Sequence, residues 1–91
     1  MLIWEAKDAD ETVLRVMDFA DRLGADYISS ATFSVVSGGI TLSGSEHDGG
    51  SLASVLVTGG TNATRCKVLC SITTDDGQTI QQTATILIRA R

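Results

Sequence analysis

Apolar and polar residues alternate with period two over much of the chain, the spacing that sends successive side chains to opposite faces of a sheet. In Thr64 to Thr73 one face carries Cys66, Val68, Cys70 and Ile72. The other carries Arg65, Lys67, Ser71 and Thr73, with Leu69 as the apolar exception. That pattern predicts a half-buried antiparallel strand. Thr74-Asp75-Asp76-Gly77 follows, an Asp-Gly turn that reaches positive φ at low cost. The alternation then resumes as Ile80, Gln82, Ala84, Ile86 and Ile88 against Gln81, Thr83, Thr85, Leu87 and Arg89. Residues 64–89 therefore read as a β-hairpin, and their Val, Ile and Thr content favours strand over helix.

Upstream, Tyr27 to Val36 places Ala31, Phe33 and Val35 opposite Ser30, Thr32 and Ser34, before Ser37-Gly38-Gly39 turns the chain. Ile40-Thr41-Leu42 is a short strand closed by a loop over Gly44 to Gly50. Ser51 to Thr58 is another strand, with Ala53, Val55 and Val57 on one face and a turn at Gly59-Gly60-Thr61-Asn62. Glu11 to Leu23 is ambiguous. Val13, Leu14, Val16, Met17, Ala20 and Leu23 fit a helical stripe that Asp10 could cap. As a strand, the same stretch sets Val13, Arg15, Met17 and Phe19 against Leu14, Val16, Asp18 and Ala20. Two stacked sheets need one more strand, so this segment is taken as a strand ending in the Asp21-Arg22-Leu23-Gly24 turn. The expectation is an all-β, antiparallel β-sandwich of about seven short strands over residues 13–91, preceded by an extended N-terminal arm over residues 1–12.

Length and composition narrow this further. Ninety-one residues support one core and no second domain. With 43% apolar and 20% charged residues the chain has the balance of a globular domain. A net charge of −4 is the wrong sign for a protein held on a phosphate backbone by counterion release, so no nucleic-acid partner is expected. No apolar run approaches the ~20 residues of a membrane span, and Leu2-Ile3-Trp4-Glu5 after Met1 does not make an export leader. No membrane partner is expected, and the chain reads as one kept in the cytosol.

Candidate chemistry is sparse. Cys66 and Cys70 are four apart on one strand, which puts their Cα atoms about 13 Å apart, beyond disulfide reach. They read as small core residues. His47 is the sole histidine, beside Glu46 and Asp48, with no further ligand for a tetrahedral metal site. It also neighbours Ser45, but a glycine-rich turn would not hold a Ser-His-Asp trio in working geometry. Asp8, Asp10 and Glu11, and separately Asp75 and Asp76, form acidic turns without the twelve-residue calcium loop. No catalytic residue, metal or cofactor is expected. Trp4 either tucks against its own sandwich or anchors in a neighbour's pocket, where indoles often dominate. Arg65, Lys67, Arg89 and Arg91 fall on the outward face of the C-terminal hairpin, while seven of the eleven acids precede residue 27. That asymmetry suits head-to-tail contacts between identical copies.

Residues 64–77 (Thr-Arg-Cys-Lys-Val-Leu-Cys-Ser-Ile-Thr-Thr-Asp-Asp-Gly) resemble the last hairpin of many immunoglobulin-like domains. More specifically, three blocks occur in an order that resembles a family of small fibre-tail adaptor-like proteins from tailed-phage and prophage structural gene clusters. They are Trp4 to Glu11, then Asp18-Phe19 with Asp21-Arg22-Leu23, then Asp26 to Phe33. The similarity extends to the Gly59-Gly60-Thr61 turn and to Ile88-Arg89-Ala90-Arg91. The resemblance implies an immunoglobulin-like sandwich with no catalytic residues to carry over. It implies a non-enzymatic adaptor or connector in the neck, tail or tail-fibre region, binding other phage structural proteins as a homo-oligomer. Such a part is assembled in the host bacterial cytoplasm and ends in the virion. On the arm, Trp4, Lys7, Asp8, Asp10 and Glu11 are the expected contacting set. A carbohydrate- or surface-binding module is the alternative; the four per cent aromatic content leaves few rings to stack on a sugar.

Overall fold

The computed structural model describes residues 2–89. In chain order the elements are β1 (Leu2–Ile3), β2 (Thr12–Asp18), a single helical turn α1 (Ala20–Leu23), β3 (Ile28–Ser37), β4 (Ile40–His47), β5 (Leu52–Gly59), β6 (Thr64–Thr74) and β7 (Thr79–Ile88). They form two sheets, ordered β1-β7-β6-β3 and β2-β5-β4. All pairs are antiparallel except β1, which lies parallel to β7 with Ile3 opposite Thr85. The β-sandwich predicted from the alternation is the observed fold, in the immunoglobulin-like form that the resemblance implies.

The predicted faces are the observed ones. Cys66, Val68, Cys70 and Ile72 on β6, and Val55 and Val57 on β5, have no accessible surface. They meet Ala84, Ile86 and Ile88 from β7 and Met17 from β2 in one core. Each fully buried aliphatic side chain stabilises the fold by about 1.5–3 kcal/mol, so this shared core rather than any single turn holds the sheets together. Between β3 and β4 the chain crosses from one sheet to the other at Gly38, whose φ of +102° suits glycine. A Cβ there would overlap the Cys66 side chain.

Three expectations need correction. The strand in the ambiguous segment exists, with Met17 inward and Leu14 and Val16 outward, but it stops at Asp18. Phe19 then opens α1 in place of a plain turn, the amides of Arg22 and Leu23 bonding its carbonyl at 2.9 and 3.1 Å. The loop expected from Gly44 is strand as far as His47. A bulge at Gly44 (φ +60°) and Ser45 breaks the alternation, and pairing with β5 resumes at Glu46 opposite Ser54. Finally, the N-terminal segment, expected as an extended arm, lies along β7 as an edge strand. Trp4 N–H donates to the Thr85 carbonyl at 2.8 Å, Lys7 N–H to that of Leu87 at 3.1 Å, and Arg89 N–H to that of Lys7 at 2.9 Å.

Candidate functional site

Period two continues into residues 3–5, where Ile3 and Glu5 are exposed and Trp4 is 7% exposed. The Trp4 indole N–H donates to the carbonyl of Val16 at 3.0 Å, reaching from the β1 side of one sheet to β2 of the other. Lys7 is fully buried, and its ammonium donates to the carbonyls of Asp8 and, at 2.6 Å, of Gly59 at the end of β5. The Arg15 guanidinium bonds the Glu5 carbonyl at 3.2 Å. Residues 4–7 thus close the side of the sandwich where β7 and β2 would otherwise part.

Of the five expected contact residues, Trp4 and Lys7 lie buried inside their own chain rather than on an arm that reaches out. The indole packs against both sheets with its N–H bonded to Val16, and the two carbonyls that accept from the Lys7 ammonium offset the cost of taking its charge from water. Asp8, Asp10 and Glu11 stay at the surface in a self-bonded turn. The Asp8 amide donates to Glu11 Oε1 at 2.8 Å, the Asp10 amide to Asp8 Oδ1 at 3.0 Å, and the Glu11 amide to the Asp8 carbonyl at 3.1 Å.

The atoms a Ser45-His47-Asp48 triad would need are used elsewhere. His47 Nδ1 accepts from the Gly49 amide at 3.3 Å, and Asp48 Oδ1 accepts from the amides of Gly50 at 2.7 Å and Leu52 at 3.3 Å. Cys66 and Cys70 are free thiols in the core, and burial pushes Cys70 up to about 12. Among the described residues no three His, Cys, Asp or Glu side chains converge as metal ligands. At the β6–β7 turn the Thr74 hydroxyl holds Asp26 below the usual carboxylate range. The amides of Tyr27, Asp76 and Asp75 assist, against an opposing effect of desolvation. A hydrogen bond to Asp75 raises the Tyr27 phenol. Among the described residues no aromatic ring lies on either outer sheet face: Trp4 and Phe19 are buried, Phe33 faces inward and Tyr27 precedes β3.

The outer faces carry apolar patches that lie outside the expected contact set. On β2 and β5, Leu14 pairs with Leu56 and Val16 with Ser54, and Leu14, Val16 and Leu52 are 55%, 41% and 39% exposed. With Glu46, His47, Asp48 and Ser54 the three line a groove of about 210 Å³. The opposite outer face, on β1, β7 and β6, has a depression of about 320 Å³ lined by Ile3, Arg65, Thr85 and Leu87. Arg65, Lys67 and Arg89 are exposed as expected, while Arg91 lies outside the described residues. The signal for the first patch was in the sequence, where residues 13–17 are apolar on both sides of the strand apart from Arg15.

Residues 7–87 match the family model of the podophage GP4 fiber-tail adaptor protein gp77. No curated protein gives a significant match. Among solved structures, the PKD domain of the KIAA 1837 protein superimposes with a TM-score of 0.60 at 15% identity, over 98% of this chain and 81% of that one. At that identity the likeness is one of fold.

Proposed function

The chain belongs to the podophage GP4 fiber-tail adaptor family, and on that premise we propose that it is a non-enzymatic connector in the neck, tail or tail-fibre region of a tailed phage particle. It works through protein–protein contacts with other tail proteins and with further copies of itself, without a cofactor and without binding nucleic acid or membrane. It is assembled in the host cytoplasm and retained in the virion. The observation that carries this reading is the family match across residues 7–87. The surface is consistent with it, offering broad sheet faces and an acidic turn at Asp8, Asp10 and Glu11, which we assign as one contact region, rather than a cleft with converging reactive groups.

The mechanism is geometric. A stiff sandwich holds its faces at a fixed angle, and repetition around a tail turns weak contacts into a durable joint. The test is electron microscopy of particles made by a phage whose gene for this chain is interrupted. Tails lacking their fibres are expected, and normally fibred, infectious particles would sink the reading.

A further inference from the structure

The two outer faces of the sandwich are opposite in charge and alike in apolar character. On the β2-β5-β4 face, Leu14, Val16 and Leu52 stand among Asp18, Glu46 and Asp48, all exposed. Among the described residues no Lys or Arg projects from it: Lys7 is buried, and Arg15 is on the inward-facing side of β2. On the β1-β7-β6 face, Ile3 at 77% exposure and Leu87 stand among Arg65, Lys67 and Arg89, with Glu5 at the margin. We propose that copies of this chain stack front to back, the Leu14-Val16-Leu52 face of one seated on the Ile3-Leu87 face of the next.

The sign of the charges decides the arrangement. A two-fold front-to-front pair would set Glu46 and Asp48 against the same acids, and a back-to-back pair would set Arg65 and Lys67 against the same bases. Front to back brings opposite charges together around two apolar centres. The molecule measures 41 × 22 × 18 Å, so a broad face offers roughly the 800 Å² per partner of a standard interface. A heterologous contact of this kind repeats, giving a ring or a linear stack rather than a closed dimer. The proposal rests on the adaptor reading only for its premise that several copies act together.

Sedimentation velocity of the purified chain, from micromolar to millimolar concentration in low and high salt, tests it. Wild type is expected to form species larger than a dimer, either a growing series of sizes or one closed ring, that recede as salt rises. Leu14→Arg, Glu46→Lys and Lys67→Glu, each shown by circular dichroism to be folded, are expected to weaken association at least about tenfold. An equimolar mixture of the Glu46→Lys and Lys67→Glu chains is expected to associate again, because each then meets a complementary face. A wild-type chain that stays monomeric at millimolar concentration, or stops at a dimer, overturns the stacking. So does a mixture that fails to recover. If the monomeric chain is nevertheless required for fibre attachment, the adaptor reading stands and its Leu14 face belongs to a different tail protein. If the chain stacks but fibres attach without it, the stacking stands and the adaptor reading fails.

Discussion

The ammonium of Lys7 lies 2.6 Å from the carbonyl oxygen of Gly59, on a side chain with no accessible surface. One residue of the first sheet's edge is thereby tied to the last residue of a strand in the second. Removing it leaves backbone carbonyls unpaired and a gap where the stem ran. Lys7→Ala is expected to cost about 2–4 kcal/mol in urea denaturation. Lys7→Met, which keeps most of the stem, should cost less. Equal losses would show that the ammonium and not the stem carries the effect.

Trp4 has two separable roles at the same seam. Trp4→Phe removes the bond to Val16 but keeps a ring, and should lower stability by about 1 kcal/mol. Trp4→Ala also empties the site and should lower it by about 3–5 kcal/mol. Thermal melts of the two variants check this, and a Trp4→Ala chain as stable as wild type would remove the indole from the core.

Gly60 has a φ of +107°, and a Cβ built on it would lie 2.7 Å from Cγ1 of Ile88, which is itself buried. Both strain and overlap oppose a side chain. Gly60→Ala is expected to destabilise by about 1–3 kcal/mol, whereas Gly77→Ala, at φ +87° with open space around it, incurs the backbone strain alone. A Gly60→Ala chain melting above Gly77→Ala would contradict the packing described.

Cys70 ionises only near pH 12 because its thiol is buried. Since the folded value lies above the ordinary one of 9.0, the neutral thiol's contribution to stability is whole below pH 9 and is lost as pH rises toward 12. At pH 8 a thiol reagent is expected to modify neither cysteine in the native chain and both in urea. Rapid labelling without denaturant would show a core more open than this one.

Asp26 titrates the other way. The Thr74 hydroxyl and neighbouring amides lower its value below 3.8, so its contribution is complete above that pH and fades as acid carries the solution through the lower folded value. The melting temperature of wild type should therefore fall on acidification more steeply than that of Asp26→Asn. Parallel acid profiles would mean that Thr74 does not favour the carboxylate.

The legible parts of the chain were those with one wet and one dry face. On β6 every second residue from Cys66 to Ile72 is buried, and the alternation in the sequence states this outright. On β2 it was blurred, because Leu14 and Val16 are apolar and yet point outward, which also lent the segment its helical stripe. At Gly44 the bulge added residues that no period-two count accommodates. The N-terminal seam was the hardest to read. Two residues of strand are too few to show a period, and burial of Lys7 depends on carbonyls at Asp8 and Gly59, the second 52 positions away. The outer-face patch was legible only in its β2 part, because the members from β4 and β5 adjoin Leu14 and Val16 only once those strands are in register.

The parallel placement of β1 beside β7 also bears on mechanics. The chain enters this pair next to Ala84 and leaves it past Ile88, at the opposite end. Tension applied between the domain's first and last strands therefore pulls them lengthwise past each other. The bonds from Trp4 to Thr85, from Lys7 to Leu87 and from Arg89 to Lys7 are strained together in shear, whereas an antiparallel edge gripped at one end would unzip a bond at a time.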